Sequence, residues 1–552
     1  MLQPLRNRWA RMATLVALAM TGVSALAQTA VTTYHYDTYR TGWNNHETTL
    51  TPANVGTAGF GLLHNVALDD QVDSQPLVVP GVLITAGTSQ GQHDVVYVAT
   101  EGNTIYAIDA HSGAVLLSPN FGPPVQYPLG CSNNGPNVGI NSTPVIDLSI
   151  NTLYVVIYTQ DASGPTYRIH GLDLGSLTDK VTPQIVSASH TLGDGTVFNF
   201  NATYQRQRPG LLLANGNVYA GFGSFCDFNA NLSRGWLLAW NTGSLTPLPG
   251  NRLNDLQPTS PDSFFLSSIW MSGYGPAADD SGNILFVTGN SDYSGTTYDG
   301  VTNIQESVVK VSSNLSTVLD LFTPSNQSGL DQSDADFGSG GVLVLPHQPG
   351  PMPHLAVATG KVGTMFLMNE DNLGGYSPLK NNVIASYTVG GCWCGQSYFV
   401  DPKDGLARVV SSGGRAILIW KLETSPKVLL KRVRTGSVGG GQDPGFFTSI
   451  SSNGTSSPLI WALSRPSNTT PKSPIYLSAF DPESGTGTGP MTHIFHALAG
   501  NWPNLGGNAN LVPVVANGEV FVASYKQLQI FGLTGAEVTK ANVTNTNIQA
   551  KQ

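Results

Sequence analysis

The chain has 552 residues, of which 11% are charged and 40% are hydrophobic, and its formal net charge at pH 7 is -9. The low charge content, together with 62 glycines and 35 prolines, excludes a disordered chain, a coiled coil and a long helical bundle. The chain carries no basic domain, so it also lacks the electrostatic footprint of a nucleic-acid-binding protein.

The first predicted element is a signal peptide over residues 1–27. Three arginines between positions 6 and 11 precede an uncharged apolar run, which ends in the small-x-small sequence Ala25-Leu26-Ala27. The run is shorter than the ~20 residues that cross a bilayer, which favours cleavage before Gln28 over an N-terminal membrane anchor. We therefore predict a periplasmic or secreted protein with no membrane span.

A sheet-forming pattern recurs along the rest of the chain. In its clearest copy, residues 75–113, a polar residue and Pro open an apolar strand, a β-rich strand follows, and a third strand ends in a Ser-Gly turn. Five further copies begin near residues 143, 208, 275, 340 and 512, and two weaker copies occupy residues 398–433 and 446–484.

Such a unit is a short antiparallel sheet that cannot bury both faces alone, whereas radial stacking buries them in a β-propeller. We predict an all-β fold with a single propeller of about eight four-stranded blades over residues 28–540, followed by a flexible tail at 541–552. The segment from Tyr34 to Leu62 contains no full copy, and we expect it to pair with the last blade and close the ring. The alternatives are seven blades with one inserted unit, or two stacked β-domains.

Four cysteines follow the predicted cleavage site: Cys131, Cys226, Cys392 and Cys394. An even number in an exported chain favours disulfides, and four cysteines allow three pairings among which the sequence does not decide. The short separation of the last two makes Cys131–Cys226 with Cys392–Cys394 our first choice.

Residues 97–113, YVATEGNTIYAIDAHSG, resemble the repeat of pyrroloquinoline quinone (PQQ) propeller proteins. The segments RTGWN at 40–44, ETTLTPANV at 47–55, WMSGYGPAAD at 270–279 and DFGSGG at 336–341 resemble an exported bacterial subgroup of that quinoprotein alcohol dehydrogenase-like superfamily. The superfamily includes alcohol and sugar dehydrogenases that use PQQ and calcium, and a non-catalytic scaffold of outer-membrane protein assembly. The chain has no adjacent cysteine pair and no haem-binding C-x-x-C-H, so the resemblance implies PQQ and calcium, no haem and a separate electron acceptor.

The residues just before each inner strand of a propeller reach the central funnel, where ligands usually bind. A quinone needs cations for its carboxylates, an aromatic face for its ring, oxygen ligands for calcium, and a general base for the alcohol proton. The cofactor-binding candidates are Arg206, Arg208, Trp270, Lys361, Trp393 and Asn141, the catalytic candidates are Asp336 and Asp334, and the candidate calcium ligands are Asp336 and Asn141.

These residues also have structural interpretations. Arg208 precedes a proline and would hold a loop, Trp270 would pack between blades, and the aspartates would form a solvated turn. Three functions therefore stay open at this point. They are a PQQ-dependent dehydrogenase of an alcohol or sugar, a non-catalytic propeller that binds a glycan, peptide or protein in its funnel, and a hydrolase or lyase.

Overall fold

The computed structural model describes residues 28–535 except 132–134, 227–230, 439–444, 465–472 and 503–509. The predicted signal peptide and the predicted tail at 541–552 lie outside the described residues. The described chain forms a propeller of eight β-sheet blades, which confirms the predicted fold; the seven-bladed alternative is wrong. The Cys131–Cys226 and Cys392–Cys394 pairing is also confirmed.

Each of the first seven blades contains a sheet of consecutive antiparallel strands, and the first strand of each lies nearest the propeller axis. The strands of blades 1 to 4 are, in turn, Leu77–Ile84, Gly91–Ala99, Ile105–Asp109 and Val115–Leu117; Val145–Asp147, Thr152–Asp161, Gly164–Asp173 and Gln184–Ile185; Gln205–Gln207 with Leu212–Ala214, Asn217–Ser224, Trp236–Asn241 and Arg252–Leu253; and Ala277–Ala278, Ile284–Val287, Val308–Val311 and Val318–Thr323.

The strands of blades 5 to 8 are Val342–Leu345, Leu355–Thr359, Thr364–Asn369 and Ala385–Thr388; Ser397–Val400, Ala407–Ser411, Ala416–Glu423 and Leu429–Ser437; Thr448–Asn453, Ser456–Leu463, Ser473–Asp481 and Thr492–Trp502; and Val514–Ala516 and Glu519–Leu533 with Phe60–Gln71. Blades 6 and 7 correspond to the two weaker sequence copies.

Short elements fill the connections between and beside the blades. The short strands are Trp43–Asn44, Val125–Gln126, Asn137–Val138, Ser189–Thr191, Val197–Asn199 and Gly375–Tyr376, the α-helices are Pro52–Val55 and Gln327–Gln332, and the 3-10 turns are Pro128–Gly130, Met271–Gly273 and Phe337–Ser339. In the part of the chain that the structure describes, no helix has the length and apolar character needed to cross a bilayer.

Turn chemistry and interblade packing explain why the repeats fold in this way. The Asn215-Gly216 hairpin turn has φ values of 54° and 69°, the left-handed conformation that Asn-Gly adopts at low cost. Between blades 1 and 2, the apolar faces meet in one core that includes Tyr97 and Val155, both at most 2% exposed. Burying one such side chain stabilises the fold by about 1.5–3 kcal/mol.

The N-terminal part of the chain closes the ring, as predicted. The strand Phe60–Gln71 pairs antiparallel with Glu519–Leu533 and completes blade 8, although it extends beyond the predicted segment. The His111 side chain of blade 1 joins blade 8 at this closure, because its ring nitrogens lie 3.0 Å from Glu519 and 2.8 Å from Asp94.

Residues 31–47, which we call the axial segment, contact every blade as well as lying next to the ring closure. They bond to the inner part of all eight blades, through contacts with Val78, Ile146, Leu211, Ala278, Val344, Tyr398, Ile450 and Val515. A segment that touches every blade must lie on the axis, so it fills one end of the funnel that the sequence predicts to be open. Its centre is Arg40, fully buried, which donates to the carbonyl oxygens of Pro276 and Tyr34 at 2.8 Å and of Leu211 at 3.1 Å.

Candidate functional site

A polar cavity of about 170 Å³, which we call the central cavity, lies beside the axial segment. Ser272 lines the cavity, and Tyr274, two residues further on, donates its hydroxyl hydrogen to the Arg40 carbonyl of the axial segment. The lining residues are Arg206, Arg208, Ser224, Cys226, Trp270, Ser272, Asp334, Asp336, Ser339, Lys361 and Trp393. The structure thus brings seven of the eight predicted site residues into one cavity.

Asp334, Asp336 and Lys361 form an ion-pair cluster in this cavity. The Lys361 Nζ lies 2.7 Å from Asp336 Oδ2 and 3.0 Å from Asp334 Oδ1. Burial raises the pKa of Asp336, whereas the Lys361 ammonium acts to lower it. The side chain of Asp334 is 59% exposed and that of Asp336 only 6%. Asp334 is therefore the more accessible of the two carboxylates, and the buried Asp336 holds Lys361 in place.

The backbone around the cavity is locally strained. Cys226, Ser272 and Asp334 have φ values of 48°, 47° and 50°, in the left-handed region that costs a non-glycine residue free energy. Strain of this kind is kept where the surrounding structure fixes it, commonly at ligand sites. Three such residues in the lining of one cavity support its assignment as the candidate site.

The two predicted tryptophans differ in how firmly they are held. The Trp270 Nε1–H donates to the Ser224 carbonyl at 3.1 Å, and its ring lies against Gly223 and Gly289, where a Cβ would come within 2.8 Å of ring atoms. These glycines leave room for the ring and fix its plane. Trp393 is half-buried between the two cysteines of a disulfide, and its ring lies 5.9 Å from the Lys361 Nζ.

The arginine side of the cavity is backed by a second buried network. The Arg206 Nε–H donates to Asn141 Oδ1 at 3.2 Å, and the Asn141 amide donates to Asp73 at 2.9 Å and to Glu101 at 2.5 Å. Asn141 is therefore one contact away from the central cavity. The Asn141 oxygen that a calcium ion would need accepts a hydrogen bond from the Arg206 guanidinium.

Sequence reasoning missed two residues of the site, Glu101 and Asn290. Both follow the second strand of their blade, as does Lys361. The second strand runs antiparallel to the first, so its end lies beside the start of the inner strand and equally close to the axis. The signal that would have found them is thus a polar residue after the second strand of each copy, as well as before the first.

Asn290 adds an unsatisfied oxygen to the aspartate side. Its backbone N–H donates to Asp336 Oδ1 at 2.8 Å and its amide to Asp334 Oδ1 at 3.1 Å. Its Oδ1 is buried and makes no hydrogen bond within the described ranges of the chain. Buried oxygens of this kind are rare in proteins and are usually satisfied by water or a cation.

The central cavity has two electrostatic halves. On one side, Arg206 and Arg208 lie near the buried carboxyl groups of Asp73 and Glu101, and burial raises the pKa of both acids. On the other side, Lys361 faces the two carboxyl groups of Asp334 and Asp336. Guanidinium groups thus line one side of the cavity and two carboxyl groups the other, so the cavity suits a ligand with anionic groups together with a cation.

No protein-family model matches the sequence, and no characterised protein sequence matches it significantly. Solved structures do share its fold. The quinohemoprotein alcohol dehydrogenase of Comamonas testosteroni is 12% identical with a TM-score of 0.61 over 93% of this chain and 82% of that one. The alcohol dehydrogenase ADHIIG of Pseudomonas putida HK5 is 13% identical with a TM-score of 0.58 over 92% and 80%.

A europium-containing methanol dehydrogenase is 10% identical, with a TM-score of 0.56 over 91% of this chain and 98% of that one. At these identities the likeness establishes the propeller fold. The predicted resemblance to quinoprotein-type propellers is confirmed at that level.

Proposed function

We propose that this protein is an exported PQQ-dependent dehydrogenase, periplasmic or secreted, that oxidises an alcohol or a sugar. The observation that carries the proposal is the central cavity, in which two electrostatic halves meet beside two indole rings. The fold shared with two alcohol dehydrogenases and a methanol dehydrogenase supports the same reaction class.

The donor set fits a quinone with a bound cation. Arg206 and Arg208 would pair with the carboxylates, because guanidinium groups bind carboxylates bidentately. Trp270 offers a fixed ring face. Asp336 and the free oxygen of Asn290 would ligate calcium, which prefers oxygen ligands.

The number of acidic side chains and the volume of the cavity limit how calcium and PQQ would be held. Within the described ranges, no three His, Cys, Asp or Glu side chains converge as a metal site, so oxygens of the quinone and of water must complete the coordination of the ion. The cavity of about 170 Å³ is also below the roughly 300–1,000 Å³ of most small-molecule sites. The half-buried Trp393 would therefore have to move outward on binding.

PQQ, when bound, supplies the two-electron acceptor for the alcohol. The chain itself supplies the base. Asp334 is exposed in the cavity, and its Oδ2 makes no hydrogen bond with the described residues, so this oxygen is positioned to accept the hydroxyl proton. Lys361 holds Asp334 in place, because its Nζ lies 3.0 Å from Asp334 Oδ1. The sequence contains no C-x-x-C-H haem motif, so the electrons would leave to a separate acceptor.

A binding and turnover assay tests this function directly. The mature chain is mixed with PQQ and either calcium or europium, and tryptophan quenching and dye reduction are followed with a panel of alcohols and sugars. We expect micromolar binding, which Arg208→Ala and Asp336→Asn weaken at least tenfold while thermal unfolding stays within a few degrees of the wild type. The exposed Arg432→Ala serves as the control.

Two results would overturn the proposal. One is the absence of PQQ binding with either ion at high micromolar cofactor. The other is early unfolding of both cavity variants, which would make Arg208 and Asp336 structural.

The small cavity volume favours one alternative, a non-catalytic propeller that binds a glycan. About 170 Å³ suits a single sugar ring, which stacks on indole faces and hydrogen-bonds to carboxylates and guanidinium groups. Calorimetric titration with monosaccharides in the absence of PQQ separates the two functions. Sugar binding without any PQQ binding would favour this alternative.

A further inference from the structure

The outer edge of blade 6 concentrates positive charge in an acidic protein. Residues 397–437, which form this blade, contain eight of the 26 Lys and Arg residues of the chain but only three of its 35 Asp and Glu residues. The blade therefore has a formal charge of +5, whereas the whole chain has a charge of -9.

This concentration of cations is specific to one blade. The outer strand Leu429–Ser437 carries Lys431, Arg432 and Arg434, whereas the outer strands of the other seven blades together carry one Lys or Arg, which is Arg252. Lysine on an edge strand can prevent edge-to-edge pairing. The 11-residue outer strand of blade 7 has no Lys or Arg, so this propeller does not use cations generally for that purpose.

Three exposed side chains, Lys427, Lys431 and Arg432, form the solvent-facing part of this edge. None of them makes an ion pair within the described ranges of the chain, because the ion pairs of blade 6 use Arg408 and Lys421. Lys431 lies directly opposite Lys421 on the neighbouring strand. Like charges in this position destabilise a sheet, and a bound anion would relieve the repulsion.

A groove of about 220 Å³ between blades 6 and 7 continues the basic edge. The Arg434 guanidinium lines it and donates to backbone carbonyl oxygens of blade 7, among them Ser484 at 2.9 Å and Gly485 at 3.3 Å. Arg434 forms no ion pair with a carboxylate of the described residues, so it is a fixed cation next to the exposed three. The other charged residues at the groove are Asp401, Lys403, Asp404, Arg408 and Lys421, with Asp481 and Glu483 close to it.

The dimensions of this edge fit an extended polymer. Lys427 and Arg434 are seven residues apart, which is up to about 23 Å at ~3.3 Å per residue. Residues 397–437 are all described and expose no large hydrophobic side chain, so the edge has no apolar anchor for a bilayer. The acidic remainder of the protein would repel DNA, with one charge per about 1.7 Å, more strongly than a polymer with one carboxylate per sugar.

We propose that the outer edge of blade 6 binds a linear acidic polysaccharide that carries carboxylate groups along its chain. Lys427, Lys431 and Arg432 would pair with successive carboxylates, and Arg434 with one that enters the groove. The outer strand is the strand of its blade farthest from the axis, so binding here leaves the central cavity open. The inference does not depend on PQQ, and it would hold an exported protein on an anionic matrix.

Binding of the mature protein to polygalacturonate tests this inference. We expect micromolar binding at about 50 mM salt that weakens at least tenfold by about 300 mM, because salt screens contacts between exposed charges. The triple variant Lys427→Gln, Lys431→Gln, Arg432→Gln should bind at least tenfold more weakly and keep wild-type PQQ binding. The matched control replaces three exposed cations of blades 2, 5 and 8 with glutamine and should bind within twofold of the wild type; these are Lys180, Lys380 and Lys526.

Three results would overturn the inference. The first is the absence of polygalacturonate binding at about 50 mM salt, where exposed charges are screened least. The second is equal weakening in the two triple variants, which would reflect total charge and not a site. The third is tighter binding of phosphatidylglycerol vesicles or of double-stranded DNA than of polygalacturonate. If the blade 6 triple variant unfolds early, its three single variants replace it, and each should weaken binding two- to threefold.

Discussion

Replacing Arg40 with methionine should destabilise the propeller severely. Arg40 is fully buried in the axial segment, and its guanidinium donates to the carbonyl oxygens of Tyr34, Leu211 and Pro276. Methionine keeps the apolar stem and removes the donors. Each buried carbonyl left without a partner costs about 1–3 kcal/mol, so the three together predict a loss of about 3–9 kcal/mol. That is a large share of the roughly 5–15 kcal/mol that stabilises a typical domain.

Urea and thermal unfolding measure this loss. The matched control is Arg432→Met on the outer strand of blade 6, where the side chain is exposed and the change should stay within about 0.5 kcal/mol. If Arg40→Met does not accumulate as folded protein, Arg40→Lys, which retains one charged donor group, should show an intermediate loss. A loss below about 1 kcal/mol for Arg40→Met would refute the role of the axial segment as the centre of the ring.

Three further predictions concern the site, the ring closure and the disulfides. Lys361→Met should lower PQQ-dependent turnover at least tenfold and move the acid limb of its pH–rate profile to higher pH, because the pKa of Asp336, the proposed calcium ligand, rises without the Lys361 ammonium; an unchanged profile would contradict this. Glu519 and then Asp94 raise the pKa of His111 from 6.5 to about 9. The contribution of protonated His111 to the stability of the folded state is therefore complete below pH 6.5 and is lost as the pH rises through 9. The Tm should therefore fall more between pH 7 and 10 in the wild type than in His111→Gln. An equal change of Tm with pH in the two proteins would show that protonated His111 does not stabilise the ring closure. Cys131→Ser opens a disulfide of sequence separation 95 and should cost about 3–5 kcal/mol in urea unfolding, whereas Cys392→Ser, at separation 2, should cost much less; equal losses would argue against the loop-entropy reasoning.

The repeating part of the fold could be predicted because each blade carries its own local signals. Alternating or wholly apolar strands joined by turns such as Asn215-Gly216 specify a hairpin wherever they occur. About eight copies of such a sheet unit are typical of a propeller ring. Seven of the eight predicted residues lie in the central cavity, because the start of an inner strand and, for Lys361, the end of a second strand reach the axis. Glu101 and Asn290 escaped prediction because, apart from Lys361, the ends of the second strands were not searched for polar residues.

The sequence by itself indicated an all-β propeller of about eight blades, many of their strands and the approximate position of the polar side chains at the axis; the structure decided between eight and seven blades. Only the tertiary structure decided that residues 31–47 fill one end of that axis, that Asp334 is exposed while Asp336 is buried, and that Asn141 faces Glu101. The physical reason is the range of the interactions. Strand and turn preferences act between neighbours along the chain, whereas burial at the axis and contacts such as Asn141–Glu101 join residues from different blades, which meet only in the folded ring.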